Sequence, residues 1–146
     1  SDRVARHAMG VLDSLGVELD DLYTLHLRRG DVVAEEGRCG TSVAAVKEFM
    51  SKCDVLSRSA STTEALVFFT DETNTSYLEA LAGALSLPRW GGRVFHGDKA
   101  VLDVLSDADK EDNYYVYAVA SAVMSRSQRQ WAIRATRNEC KPEDTC

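Results

Sequence analysis

The residues best suited to chemistry lie in one run, Tyr23-Thr24-Leu25-His26-Leu27-Arg28-Arg29-Gly30-Asp31. A β-prone segment ends in two guanidinium groups, a glycine and an acid. Strand periodicity sends Thr24, His26 and Arg28 to one face and Leu25 and Leu27 to the other. Gly30 then allows a sharp exit. In an open parallel α/β sheet, ligands collect in the crevice outside the carboxyl ends of the strands. A guanidinium delivered there suits phosphate, because its planar fork meets two oxygens at once.

Two further strand ends carry groups of the same kind. Leu66-Val67-Phe68-Phe69 is a continuous apolar run, as a parallel strand covered on both faces requires, and it ends in Thr70-Asp71-Glu72. A shorter strand, Arg93 to His96, ends in Gly97-Asp98. In a parallel sheet all three ends share one edge, so residues remote in sequence line one crevice.

Helices must fill the intervals. Asp2 is a cap for a first helix with Val4, Ala8, Met9, Val11, Leu12 and Leu15 in one stripe, stopped at Gly16. Thr41 or Ser42 caps a second, carrying Val43, Val46, Phe49, Met50, Cys53 and Leu56 on its buried side. A third bears Tyr77, Leu78, Leu81 and Leu85 and stops at Pro88. Further helices carry Val101, Leu102 and Leu105, and then, from Asp112 or Asn113, Val116, Val119, Ala120, Val123 and Met124. Gln130 to Thr136 alternates as a last strand. Strands alternating with helices specify a three-layer α/β/α sandwich with a mainly parallel sheet, without specifying strand order. One domain over residues 1–138 and a polar tail at 139–146 account for the chain.

Composition narrows the partners. With 17 basic and 23 acidic side chains in 146 residues, the net charge of -6 offers no general field for nucleic acid or an anionic membrane. No run is long enough to span a bilayer, and the chain starts inside an amphipathic segment, as an excised domain would. Cys39 and Cys53 flank one helix, while Cys140 and Cys146 bracket the tail; local pairing within each set is expected. Neither Cys-x-x-Cys nor a zinc-like His interval is present, so no metal is expected. Asn74-Thr75-Ser76 is an N-glycosylation sequon. Cysteines and sequon together point to an oxidising secretory lumen, against the alternative of four reduced thiols in a cytosolic protein. Arg29-Gly30-Asp31 also spells an integrin-binding tripeptide, but it sits within a longer motif directly after a strand, which argues against adhesion.

His26-Leu27-Arg28-Arg29-Gly30-Asp31 resembles the His-x-Arg-Arg-Gly-Asp signature of the GDP-fucose-using fucosyltransferase superfamily, which includes core α1,6-, protein O- and bacterial α1,2-fucosyltransferases. Phe68-Phe69-Thr70-Asp71-Glu72 resembles its second motif, a hydrophobic strand ending in Thr-Asp and another acid. The resemblance runs from about Tyr23 to Arg137. It implies the donor-binding, Rossmann-like half of a GT-B glycosyltransferase that transfers fucose from GDP-fucose, without a metal and with inversion, to a glycan or protein hydroxyl in the Golgi, in the endoplasmic reticulum or outside the cell. On that resemblance Arg28 holds the donor β-phosphate and is the catalytic position. Arg29 is a second contact, with a salt bridge to Asp31 or Glu72 as its competing role. His26 binds phosphate, orients Arg28, or is a satisfied core histidine. Thr70, Asp71 and Glu72 lie beside the nucleotide, the acids having helix-start charges as their competing role. Asp98 reads the adjacent N–H donors of guanine. Two departures stand out: where the family often has a Ser/Thr-rich loop after its last donor-domain strand, only Thr136 is available, and the amino-terminal acceptor domain is missing. A non-catalytic nucleotide- or sugar-binding module is the alternative.

Overall fold

A computed structural model of the chain describes residues 1–30, 41–53 and 63–134. Four strands, β1 (Leu22–Arg28), β2 (Ala65–Thr70), β3 (Val94–His96) and β4 (Arg129–Arg134), form one sheet. Every pairing is parallel, in the order β3-β2-β1-β4. The chain winds outward from β1 through β2 to β3, then crosses back to the far side of β1. That reversal puts a topological switch point between β1 and β4, where a doubly wound sheet opens a crevice at its carboxyl edge.

Helices cover both faces, giving a Rossmann-like three-layer sandwich. On one side lie α1 (Asp2–Leu15), α4 (Gly97–Val104) and α6 (Asn113–Met124), with the single turn α5 (Asp107–Lys110) joined to α6. On the other lie α2 (Val43–Lys52) and α3 (Thr75–Leu85). β2, sandwiched between the layers, is buried at all six residues. Val67 and Phe69 pack with Val11, Leu12, Val101, Val119 and Val123, whereas Leu66 and Phe68 pack with Leu25, Leu27, Phe49, Met50, Leu81 and Trp90. Truncating either phenylalanine would cost about 3–5 kcal/mol.

Local sequence chemistry sets the boundaries. Ser1, not Asp2, is the N-cap of α1, its hydroxyl accepting from Val4 N–H, so that Asp2 falls in the first turn where its charge suits the dipole. Gly16 ends that helix at φ 66°. Ser42 caps α2, Asn74 caps α3 and Asp112 caps α6, each accepting a backbone N–H three residues on. The sequence reading placed Leu102 with the inward residues of α4, but it is 40% exposed because α4 turns Val101 and Ala100 to the core instead.

Cys53, just past α2, is disulfide-bonded. Cys39, Cys140 and Cys146, like Asp31, Leu56, Thr136 and the tail at 139–146, lie outside the described residues. Asn74 of the sequon is exposed and uses its side-chain oxygen to cap α3. No helix among the described residues is long and apolar enough to cross a membrane.

Candidate functional site

The site is assembled at the carboxyl edge of β1. Strand alternation does send Thr24, His26 and Arg28 to the side of α1, α4 and α6, and Leu25 and Leu27 to the side of α2 and α3. His26, Arg28, Phe69, Thr70, Asp71, Asp98, Tyr117, Ala120 and Met124 line a cavity of about 320 Å³. Five of the eight donor residues expected from sequence thus converge on one hollow: His26, Arg28, Thr70, Asp71 and Asp98.

Arg28 is exposed at the rim and makes no ion pair among the described residues. Its neighbour across the switch point is Arg134, the last residue of β4 and its partner in register. Both arginines also act on His26, which is half-buried below them. Burial holds the His26 imidazole below the ordinary histidine range; Asp98 and Asp71 pull it back up, and Arg28 and Arg134 push it further down.

Two carboxylates in the cavity hold backbone groups. Asp71 accepts from Arg29 N–H through Oδ1 and from Gly30 N–H through Oδ2, each at 2.7 Å. Asp98, in the first turn of α4, accepts Thr70 N–H at 2.8 Å. These contacts tie the exits of β1 and β2 to the elements beside them. His96 Nε2 stands 3.4 Å from Asp98 Oδ2, close enough for an ion pair when protonated but not aligned as a hydrogen bond. The His96 ring stacks instead on Phe68, with centroids 5.1 Å apart.

Arg29 and Glu72 belong to a different structure. Arg29 is 2% exposed and points to the α3 face, opposite Arg28, as alternation requires. Its Nη1 donates to Glu72 Oε2 at 2.5 Å, its Nε donates to Thr41 Oγ1, and its guanidinium lies 3.6 Å from the centre of the Tyr77 ring. Glu72 Oε1 meanwhile accepts from Thr73 and Asn74 N–H at the entrance to α3. Of the two roles open to Arg29, the salt bridge to Glu72 is the one the fold uses, and neither residue lines the Arg28 cavity. The reason is steric and electrostatic: a guanidinium pinned between an aromatic ring and a carboxylate, away from water, cannot also reach the crevice. Thr70 Oγ1 is likewise engaged, accepting Glu72 N–H at 3.1 Å.

A second hollow of about 400 Å³ adjoins the first along the edge, sharing Thr70 and Asp98 and extending past His96, Leu78 and Leu102. The sequence contains one Asp-x-Asp triplet, Asp107-Ala108-Asp109, but Asp109 receives two hydrogen bonds from Arg3 and Asp107 pairs with Lys110. Among the described residues no group of three His, Cys, Asp or Glu side chains could hold a metal ion.

Sequence reasoning did not assign Arg134 or Tyr117 to the site. A signal existed for Arg134, since the last strand of the chain ends in a basic residue as β1 does. Nothing local marks Tyr117, whose place depends on where α6 crosses the sheet. Comparison of the chain with protein-family models, curated proteins and solved structures returned no significant match.

Proposed function

We propose that this chain binds a nucleoside diphosphate sugar as the donor half of a fucosyltransferase-like glycosyltransferase, with GDP-fucose as the donor. The observation that carries the reading is Arg28, an exposed cation without a carboxylate partner among the described residues, on a cavity at the carboxyl ends of β1 and β2. The family-like spacing of His26, Arg28 and Gly30, followed one helix later by Thr70-Asp71, supports it. Arg134, the register partner of Arg28, is a second basic residue at the same sheet edge.

On this reading Arg28 fixes the β-phosphate and offsets the negative charge that builds on GDP as the bond to the sugar breaks. His26, held neutral by burial, is a hydrogen-bonding wall beneath the phosphate rather than a third cation. The acceptor hydroxyl and its general base come from the amino-terminal half of the complete enzyme. No resident metal is required, because the arginines supply the positive charge. The disulfide at Cys53 supports an oxidising compartment, hence the secretory lumen or the outside of the cell.

A second reading, a nucleotide- or sugar-binding module without catalysis, is favoured by the engagement of Asp71 and Asp98 with backbone N–H groups, which commits both carboxylates to holding the strand exits. Calorimetry with GDP, GDP-fucose and UDP, followed by turnover with a panel of acceptor glycans, separates these. The enzyme half should bind both guanine ligands over UDP, should release no acceptor-dependent GDP alone, and should do so when joined to its other half. Binding without turnover in the joined protein favours the module. No binding of any of the three rejects both.

A further inference from the structure

We propose that Tyr117 is the stacking platform for the base of the nucleotide whose phosphates Arg28 holds, an inference that rests on the nucleotide-binding reading and assigns the base its wall. The Arg28 cavity has two chemically distinct sides. The strand ends and the first turn of α4 contribute Phe69 and five residues able to hydrogen-bond, His26, Arg28, Thr70, Asp71 and Asp98. The opposite side comes from α6, where Tyr117, Ala120 and Met124 follow at intervals of three and four and so form one helical stripe. That stripe runs from the core into solvent: Ala120 and Met124 are each 5% exposed, whereas Tyr117 is 64% exposed.

Packing accounts for Ala120 and Met124 but not for Tyr117. A large aromatic ring left mostly in water on the lip of a cavity gains little from folding. It does offer a flat face to a ligand. Phosphate is served by the strand-end wall, whereas a nucleobase presents a broad π face wherever it stacks. Asp98 lies across the same cavity and, with Oδ2 on Thr70 N–H, retains lone pairs for the N–H edge of a base lying on Tyr117.

The test is to titrate the wild-type chain, Tyr117→Ala and Tyr117→Phe with GDP and with inorganic pyrophosphate. Loss of base stacking should weaken GDP roughly tenfold or more in Tyr117→Ala, while pyrophosphate affinity stays unchanged and Tyr117→Phe keeps wild-type GDP affinity. Because the ring is exposed on a helix, the alanine variant should melt as wild type does. Equal GDP affinity in Tyr117→Ala and wild type, or an equal loss for pyrophosphate, overturns the stacking role and leaves the phosphate site standing. A wild-type chain that holds pyrophosphate as tightly as GDP also overturns it, since the base would then have no subsite. Failure of the wild type to bind either probe rejects the nucleotide-binding reading itself.

Discussion

Asp71 Oδ2 accepts the backbone N–H of Gly30 at 2.7 Å, joining the end of β2 to the turn that ends β1. Gly30 adopts φ 57°, a left-handed conformation that costs other residues roughly 1–2 kcal/mol. With Oδ1 on Arg29 N–H, the carboxylate closes a bracket around the two residues after Arg28. The direction in which Arg28 leaves the sheet is therefore set by a residue 43 positions later in the sequence (71 − 28).

Asp71→Asn should weaken this bracket, because one of its two acceptor oxygens becomes an N–H₂ facing a backbone N–H. A loss of about 1–3 kcal/mol is expected, read as a lower urea midpoint with an unchanged slope. An unchanged midpoint would mean the turn holds itself.

The neighbouring arginines should behave oppositely. Arg28→Ala should leave the melting temperature within a degree or two of wild type and weaken GDP by about ten- to a hundredfold, as loss of a charged hydrogen bond to phosphate requires. Arg29→Ala should destabilise by about 3 kcal/mol, because Glu72 loses its buried partner and Tyr77 its cation. Thermal melts and GDP titrations of both variants check this; a reversed pattern would exchange their roles.

Histidine 26 should make stability depend on mild acid. Its folded pKa lies below the ordinary value near 6.5, chiefly through burial. Above that value both folded and unfolded chains carry neutral His26 and it contributes nothing. As pH falls below about 6.5 the unfolded chain takes up the proton first, so stability declines until the folded histidine titrates too. His26→Gln should remove this part of the slope in denaturation midpoints measured between pH 7 and 5. An identical slope in the variant would assign the loss elsewhere.

Gly97, the first residue of α4, lies against β2: a Cβ there would come within 2.5 Å of the Phe69 ring. Gly97→Ala should therefore displace Phe69, which lines the Arg28 cavity, and cost about 1–3 kcal/mol by overpacking. The Gly97→Ala, Phe69→Leu double variant should recover part of the loss, because the flat ring is replaced by a smaller side chain. No recovery in the urea midpoint would show that the strain is in the backbone.

Much of this architecture was legible in the chain itself, for a reason of range. Opposite directions for Arg28 and Arg29 follow from the two-residue period of a strand. The buried stripes of α1, α2 and α3, exposed Met9 apart, follow from the 3.6-residue period of a helix. The Ser42 cap of α2 follows from a side chain three residues before the N–H it accepts, whereas α1 is capped by Ser1 and not by Asp2. Each is a relation among near neighbours, and so is readable from sequence. The strand order β3-β2-β1-β4 is not, because either edge of β1 could accept β4 without altering any local pattern. That order alone sets Arg134 beside Arg28. Asp71 and Glu72, adjacent acids at one strand end, were indistinguishable until the fold delivered Gly30 N–H to the first and the Arg29 guanidinium to the second. Tyr117 entered the cavity only through the way α6 crosses the sheet. A carboxylate or an aromatic ring takes its role from whatever long-range packing brings within hydrogen-bonding or stacking distance, and only the tertiary structure supplies that partner.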